Sequence, residues 1–468
     1  MKEPAKSARR RARGAALAGE HLPSAADLRR ITTRVFSFSD ADETEVTIEA
    51  ESDALTRFAN NTIHQHVAEQ GLAISIRAVV DGRMARATTN KHDDESLRRT
   101  AAAALELARH QPKNPGLLPM SGSPPRAAVK PVRRYFAATA AATPADRARV
   151  VAALCKAAAR EGHTAAGVFS TGVSALAIAN SRGLFSYHTQ TDANFSITAM
   201  DGDSSGWAKA TSPDIRAVDP HQLADRAMQK AALSRRPREI EPDRMTVILE
   251  PAAVLDLVGF LFYDFAGTAV MDHRSCFNER IGKQVMGAKI HIADDVYHPL
   301  QSGAPFDGEG LPRQRVPLVE AGVPKRLVYS RATAKKMKEK PTGHGLSLPN
   351  EWGEAPMNLV VAGGDTPLEE MIASTDRGVL LTRVWYVREV DPYEKVLTGM
   401  TRDGTFLVEN GRVVAGLRNF RFNQSILEML SNVEQLSPSV RASGEEAFDM
   451  VVPAMKIRNF HFTELTKF

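Results

Sequence analysis

The sequence of 468 residues contains only two cysteines, Cys155 and Cys276. A disulfide-stapled domain or a cysteine-rich zinc module needs more cysteines than this, so both classes are excluded. Cys155 falls on the apolar stripe of a predicted helix and is expected to pack in a core. The chain also lacks any run of eighteen consecutive apolar residues, which argues against a membrane-spanning helix.

The dipeptide His-Glu is absent from the whole chain. Metallopeptidase helices of the zincin type place two histidines one turn apart, so that both face one metal ion, and use the glutamate beside the first as general base. Without any His-Glu pair, the chain cannot build that arrangement. The sequence therefore argues strongly against a zincin-type catalytic site.

Excess positive charge is confined to the N-terminus. The formal net charge is +5, from 60 Lys and Arg against 55 Asp and Glu. Residues 1–30 hold eight of these basic residues and three of the acidic ones, so the rest of the chain is neutral. The body of the protein thus gives no electrostatic reason to bind nucleic acid. We predict a basic disordered tail over residues 1–30, without the apolar segment of a secretory signal, and a cytoplasmic protein.

The pattern beyond residue 30 predicts an α+β fold. Residues 45–50 and 71–80 read as strands, and a helix is expected from an N-cap at Asp93 to just before Pro112. Prolines then mark a linker over residues 112–143. The spacing of strands, turns and helix that follows Ala59-Asn60 recurs after Ala179-Asn180, so residues 31–111 and 144–238 are predicted to be duplicated strand-hairpin/helix units.

Residues 239–468 are predicted to form a β-rich C-terminal domain. It begins with a strand over residues 246–249 and a helix over residues 252–265, and continues as short alternating segments separated by turns. One hairpin is marked by the Asn410-Gly411 turn. The predicted fold class is therefore α+β, with two similar N-terminal units followed by this β-rich domain.

Several polar groups could be read as sites. His64 and His66 would share one face of a strand, so a metal pair is conceivable, but exposed polar strand residues are the preferred interpretation. A metal site is a less favoured alternative for five residues of the C-terminal domain, because their spacing fits no known ligand pattern. These residues are His273, His291, Asp294, Asp295 and His298. The glycines around His344 and at Gly363-Gly364 are typical of turns rather than of a nucleophile elbow or a phosphate loop.

A series of short motifs resembles the TldD/PmbA family in order and spacing. They include Arg57-Phe-Ala-Asn-Asn61, Asn180-Ser-Arg-Gly183, Val247-Ile-Leu-Glu-Pro251, Asp294-Asp295, Phe306-Asp-Gly-Glu-Gly-Leu-Pro312 and Thr342-Gly-His344. The positions that match family motifs are Asn60, Asn180, Gly183, Asp295, Asp307, Glu309, Gly310, Gly343 and His344. The resemblance covers residues 44–468 and implies the family's N-terminal, middle and C-terminal domains for the three units.

The resemblance also implies where a zinc site would lie. In the TldD half of the family, a helix after the strand that ends in Glu-Pro or His-Pro carries His-Glu-x-x-x-His, and a later cysteine completes the site. Aligned from Pro251, those helix positions fall on Gly259, Phe260 and Asp264, and no cysteine follows Cys276. The resemblance therefore implies a site converted to packing in this chain.

This pattern is similar to the PmbA half of the family, also called TldE, which pairs with TldD. It implies a non-catalytic subunit without its own cofactor, and zinc in a TldD-like partner. The assembly would be a heterodimer, or the chain a homodimer, acting on extended, unstructured peptides. Two alternatives stay open: a self-sufficient metallopeptidase with an atypical metal site, and a regulatory protein attached to nucleic acid through its basic tail.

Overall fold

The computed structural model describes residues 22–124 and 130–466. The first unit has the order helix, three strands, helix. Its elements are α1 (Ala25–Phe38), β1 (Glu43–Ala59), β2 (Thr62–Val80), β3 (Arg83–Thr89) and α2 (Asp94–Arg109). Asp93 caps α2 as predicted, since its side chain accepts a hydrogen bond from the Ser96 backbone N–H.

The second unit repeats that order after a short helix. Its elements are α3 (Ala137–Ala140), α4 (Pro144–Arg160), β4 (Thr164–Asn180), β5 (Phe185–Asp201), β6 (Ser204–Ser212) and α5 (Pro220–Leu233). Asp219 caps α5 in the way that Asp93 caps α2. The matching element order agrees with the duplication inferred from the sequence.

The two units share one antiparallel sheet of six strands, in the order β3-β2-β1-β4-β5-β6. β1 and β4 join them at the centre, and their register runs from Glu45 opposite Asn180 to Phe58 opposite Gly167. The helices cover one face of this sheet in two separate apolar clusters, one for each unit. The opposite face of the sheet is left to meet the C-terminal domain.

The structure corrects the predicted extent of the N-terminal tail. The prediction of disorder through residue 30 is wrong for residues 25–30, which belong to α1. Ser24 and Asp27 form a capping box there, and Leu28 and Ile31 are buried on the inner face of the helix. Residues 1–21 of the predicted tail, and residues 125–129 of the predicted linker, lie outside the described residues.

The C-terminal domain is rich in strands, as predicted, and builds two sheets. Its helices are α6 (Pro251–Val258), α7 (Gly267–Met271), α8 (Arg331–Met337), α9 (Leu368–Ala373) and α10 (Ile426–Ser431). Its strands are β7 (Arg244–Leu249), β8 (Ile292–Asp294), β9 (Val316–Glu320), β10 (Val323–Pro324), β11 (Leu359–Val361), β12 (Arg377–Asp391), β13 (Val396–Glu409), β14 (Arg412–Gly416), β15 (Phe420–Ser425), β16 (Val433–Leu436), β17 (Val440–Ala442), β18 (Met450–Val452) and β19 (Met455–Leu465).

One sheet has the order β10-β9-β8-β11-β18-β17, and the other has the order β12-β7-β19-β15-β13-β14 with β16 beside β19. A large apolar cluster that includes residues of α6 and of both sheets forms the core of the domain. Residues 410 and 411 make the predicted tight turn between β13 and β14. Within the described ranges, no helix is long and apolar enough to cross a bilayer.

The helix predicted over residues 252–265 is wrong beyond Val258. α6 ends there, and two single 3-10 turns follow, Gly259–Leu261 and Tyr263–Phe265. Gly259 is the residue at which the helix ends, and glycine is a poor helix former. The segment therefore changes from α-helical to 3-10 turns at the position where the family resemblance places the first zinc ligand.

Asp256 in α6 gives a first testable prediction. Its fully buried carboxylate accepts backbone N–H bonds of 3.0–3.2 Å from residues 445, 446 and 447. Burial outweighs these hydrogen bonds and raises the pKa of Asp256 from 3.8 to about 6. The pKa of Asp256 is higher in the folded than in the unfolded protein. The stability linked to the protonated Asp256 is therefore fully present below about pH 4 and is lost as the pH rises through 6.

Asp256→Asn should remove this pH dependence while keeping Oδ1, the main acceptor. The stability of the variant relative to the parent is expected to rise by about 3 kcal/mol between pH 4 and pH 7.5, at about 1.4 kcal/mol per unit of pKa. Urea unfolding at both pH values measures it, and the exposed Asp365→Asn serves as control. A difference that does not change with pH would show that Asp256 titrates normally.

Candidate functional site

A cleft of about 460 Å³ lies between the open face of the N-terminal sheet and the C-terminal domain. β1 and β4 provide one wall, through Thr47, Glu49, Leu176 and Ile178. Loops of the C-terminal domain provide the other wall, at residues 302–308, 313, 345–347, 357–358 and 448–449. Several of the positions that match family motifs lie in or directly behind this second wall.

A buried imidazole-carboxylate pair supports the second wall. Nε2 of His344 lies 2.8 Å from Oδ1 of Asp294, and both side chains are 0% exposed. Nδ1 of His344 lies 2.9 Å from the Thr342 hydroxyl. The other carboxylate oxygen of Asp294 accepts the Asn358 backbone N–H at 2.8 Å. The pair thus connects β8 to Asn358, the residue before β11, and to the loop that contains Gly345.

The pKa of Asp294 reflects this environment. Burial raises it, but the adjacent His344 imidazole, Arg313 and the Asn358 N–H outweigh burial and hold this pKa below its usual value. Every polar atom of the pair has a partner within the protein, and neither residue reaches the cleft surface. The sequence motif at His344 therefore marks a structural pair rather than an exposed catalytic base.

Asp307 binds the two cleft loops together. Its carboxylate accepts backbone N–H bonds from Glu309 at 3.0 Å and from Leu311 and Gly345 at 2.9 Å. Burial raises the pKa of Asp307 in spite of these three donors. Glu309 in turn forms an ion pair of 3.2 Å with Arg331 at the start of α8.

Two motif glycines allow close contacts that no other residue would permit. Gly343 has φ of 72° and lies against the Pro312 carbonyl, so a Cβ there would overlap the oxygen. Gly310 has φ of 78°, and a Cβ would lie 2.6 Å from Leu184 of the second unit. The loop over residues 306–312 therefore packs directly against the end of β4.

The other motif positions also have structural contacts. Asn60 occupies the turn between β1 and β2 with φ of 50°. The Asn180 side chain accepts the backbone N–H of Arg182 at 3.0 Å and shapes the turn that contains Gly183. Asp295 accepts the Tyr297 backbone N–H at 2.9 Å and pairs with Arg315 at 3.3 Å. These positions determine turns and loop positions around the cleft.

The three positions aligned with the zinc motif lie close behind the cleft wall, and none is set up as a metal ligand. Gly259 is buried, and a Cβ there would lie 2.5 Å from the Cβ of Ala447. Phe260 packs against the main core, and its neighbour Phe262 stacks edge-on against Phe448 of the cleft wall. Apolar carbon at these positions offers no ligand to a cation.

Asp264, the third position, forms an ion pair with Lys395. Its carboxylate lies 2.6 Å from Nζ of Lys395, which also contacts Glu389 at 2.7 Å. Burial lowers the pKa of Lys395, but the two carboxylates outweigh it and raise that pKa, so the ammonium stays charged. Asp264 also accepts the Cys276 backbone N–H at 2.7 Å. The residues present do not fit zinc at this place.

This packing leads to a second prediction. Gly259→Ala is expected to lower the free energy of unfolding by about 1–3 kcal/mol, because the added methyl group would overlap Ala447. Urea unfolding measures the loss, and Gly122→Ala, where a Cβ would meet nothing closer than 3.8 Å, is the matched control. The triple variant Gly259→His, Phe260→Glu, Asp264→His should fail to bind zinc in a stably folded state, whereas stoichiometric zinc with unchanged stability would contradict the packing.

The residues of the alternative metal site do not come together. They are His273, His291, Asp294, Asp295 and His298, and within residues 22–124 and 130–466 no three His, Cys, Asp or Glu side chains are placed to hold a metal ion. His291 accepts the Ala321 backbone N–H at 3.3 Å, and His298 accepts that of Leu300 at 3.3 Å. Asp294 is committed to His344. In the described parts of the chain, these five residues therefore do not form a common metal site.

His64 and His66 lie in β2 with exposed side chains. Nδ1 of His66 lies 3.0 Å from the Thr56 hydroxyl on the neighbouring strand. Both cysteines are buried, and Cys276 packs in the main core. Burial raises the pKa of both thiols, so neither has the character of a reactive thiolate.

Glu49, Arg313 and Lys395 are not among the residues predicted from the sequence. Glu49 lines the cleft, and Arg313 donates to the Asn358 side chain at 2.9 Å. A signal existed for Glu49, because the alternating strand of β1 places Glu45, Glu49 and Glu51 on one face. No local pattern marks Arg313 or Lys395, whose partners are distant in sequence.

Comparisons with known proteins agree with this arrangement. Three family descriptions match in order: "PmbA/TldA metallopeptidase domain 1" over residues 44–108, the central domain over residues 137–235 and the C-terminal domain over residues 242–464. A fold of this kind, with its three matching domains, defines a metallopeptidase-related protein. The chain belongs to the PmbA/TldD family.

Individual relatives are distant. The chain is 25% identical over 231 residues to a metalloprotease of Methanocaldococcus jannaschii, covering 47% of this chain and 49% of that protein. It is 24% identical over 228 residues to metalloprotease PmbA of Escherichia coli O157:H7, covering 47% of each. The chain thus spans about half the length of the curated relatives it matches.

The crystal structure of TldE from Thermococcus kodakarensis has the same fold, with a TM-score of 0.84 and 19% identity. The match covers 94% of this chain and 100% of that one. The predicted α+β class, with two N-terminal units and a β-rich C-terminal domain, is confirmed.

Proposed function

We propose that this protein is the non-catalytic, PmbA/TldE-like subunit of a two-subunit metallopeptidase that acts on unstructured peptides. The observation that carries the proposal is the chemistry at residues 259, 260 and 264. A glycine packed against Ala447, a phenylalanine and a carboxylate paired with Lys395 replace the two histidine ligands and the general base that a catalytic family member would carry on this helix. Zinc would then belong to a TldD-like partner.

The cleft supports a role in holding substrate. It is open, has both polar and apolar walls and lies beside the segment where the family's zinc helix would run. An extended peptide can bind such a surface through strand edges without requiring one particular sequence. The buried pairs behind the wall would keep the cleft loops in place while different peptides pass.

The test is to purify the full chain alone and together with a His-Glu-x-x-x-His-bearing TldD-like protein of the same genome. We expect the chain alone to be metal-free and inert toward an unfolded peptide, and the mixture to form a complex with one zinc and chelator-sensitive cleavage. Substituting the zinc ligands of the partner should abolish cleavage, whereas Asp264→Asn in this chain should leave the zinc content of the complex unchanged. Chelator-sensitive cleavage by the chain alone would overturn the proposal.

A further inference from the structure

A groove of about 380 Å³ lies on the helix-covered face of the N-terminal sheet, opposite the cleft. It falls between the two apolar clusters, because the cluster of the first unit extends along β1 to Ile48 and that of the second unit includes Phe58. Between these residues, β1 lines the groove with the small side chains of Ala50, Ser52 and Ala54. The boundary between the duplicated units therefore leaves room for a small molecule.

The walls of the groove are mostly apolar. Leu28 and Ile31 of α1 provide one side, and Ala140 and Ala142, at and just after the end of α3, provide the other. Val173 of β4 also lines the groove. Burial of an apolar chain against these residues would be favourable.

Glu51 is the one acidic residue among those that line the groove. Its side chain belongs to the alternate set of β1 that faces the other side of the sheet, together with Glu49 in the cleft wall. In the part of the chain that the structure describes, the groove therefore presents no carboxylate to a ligand.

Arg147 of α4 lies directly behind the wall of this groove. It is only 1% exposed, and its Nη1 donates to the Ala142 carbonyl at 3.3 Å and to the Thr171 hydroxyl at 2.7 Å. Both of these residues line the groove. Nε of Arg147 is buried without a hydrogen-bond partner.

The positive charge of Arg147 also lacks a counter-ion. Among residues 22–124 and 130–466, no carboxylate oxygen lies within ion-pair distance of its guanidinium, and the adjacent Asp146 pairs instead with Arg149. Burial lowers the pKa of Arg147, although the charge of Asp146 raises it. Burying an arginine in this way is unfavourable unless an anion compensates the charge.

The duplicated unit shows that the fold does not require an arginine at this position. α1 and α4 both begin with a capping box, which starts at Ser24 in α1 and at Thr143 in α4. Counted from these caps, Arg147 occupies the position of Leu28, and both side chains are almost completely buried. Since an apolar residue suits the position, packing alone does not explain the charge of Arg147.

From this arrangement we infer that the groove binds a small amphipathic carboxylate of the fatty-acid type, with its head group on Arg147 and its apolar chain between the two units. The Nε side of a guanidinium can donate two parallel hydrogen bonds to one carboxylate. A single buried arginine balances a single negative charge, which favours a carboxylate over a phosphate. The chain would lie over Ala50 and Ala54 toward Leu28. This site is separate from the cleft and does not depend on the proposed subunit function.

Isothermal titration calorimetry with the full chain measures this binding, with decanoate as the probe below its micellar concentration. We expect decanoate to bind at one site per chain, and decanol, which has the same chain without the charge, to bind at least about tenfold more weakly. Acetate, which has the head group without the chain, should give no measurable binding at the same concentration. Equal binding of decanoate and decanol would overturn the role of the buried charge.

Arg147→Leu introduces the residue of the matching position in the first unit and should therefore fold. It should weaken decanoate binding by at least about tenfold and leave decanol binding unchanged, because only the head group loses its partner. Arg149→Leu removes an exposed arginine from the same helix and should change neither ligand. Unchanged decanoate binding in Arg147→Leu, or equal loss of both ligands, would contradict a head-group site at Arg147.

Ser52→Leu tests the location of the chain and remains informative if Arg147→Leu fails to fold. The larger side chain should occupy the groove and weaken both decanoate and decanol, whereas unchanged binding would place the ligand elsewhere and overturn the inference. Glu20→Gln tests a competing occupant from the chain itself. If decanoate binds only to that variant, the carboxylate of Glu20 occupies Arg147, and the assignment of an external ligand is wrong.

Discussion

Replacing His344 with alanine is expected to lower the free energy of unfolding by about 3–5 kcal/mol, because it leaves the buried Asp294 carboxylate without its partner. Both side chains are inaccessible to water, so no solvent can replace the lost interaction. Urea unfolding followed by fluorescence measures the effect, and His221→Ala, at an exposed position in α5, is the control.

The double variant His344→Ala, Asp294→Ala should be less destabilised than the sum of the two single variants, because it leaves no unpaired charge. The low pKa of Asp294 also makes the stability of the folded protein depend on pH. Since its folded pKa lies below the unfolded value of 3.8, the stability that it contributes is present above about pH 4 and is lost as pH falls further. Strict additivity of the single variants, or no loss in His344→Ala at pH 7, would contradict the coupling.

Asp307→Ala is expected to cost about 3 kcal/mol or more, because three buried backbone N–H groups lose their acceptor together. The loss should concentrate in the loop over residues 303–312, and limited proteolysis should therefore cut there before the rest of the chain unfolds. Urea unfolding measures the total effect.

Asp307→Asn is the matched variant for this prediction. It keeps Oδ1, which accepts from Glu309 and Leu311, and loses only the bond from Gly345, so its cost should be clearly smaller. Asp203→Ala, which removes an exposed carboxyl group, should have almost no effect. Equal losses in the alanine and asparagine variants would show that these hydrogen bonds do not hold the loops.

Local patterns predicted those elements whose information lies within a few residues. Asp93 as an N-cap, the Asn410-Gly411 turn and the alternating strand that becomes β1 depend on neighbouring residues, and the structure confirms them. The prediction of an α-helix beyond Val258 failed because the apolar pattern does not distinguish an α-helix from the 3-10 turns that the structure contains. Gly259, at the change, lies against Ala447 and Met450, which are distant in sequence.

The family motifs were visible in the sequence, but their roles were not. Asp307 and His344 are polar residues among glycines, a pattern that a catalytic loop would also show. Only the fold shows that both are buried and bonded within the protein. Residues held by distant partners, such as Asp264 with Lys395, carry no local signal at all.

The sequence by itself determined the fold class, the duplication pattern, the family and the absence of the His-Glu-x-x-x-His ligands, because each depends on residue identity, spacing or periodicity. The tertiary structure decided that the two units share one sheet, that Asp264 pairs with Lys395, and that, in the described part of the chain, β3 pairs with β2 only from Ile74 to Val80. These features depend on contacts between segments far apart in the chain, and contacts of that kind arise only when the whole chain has packed.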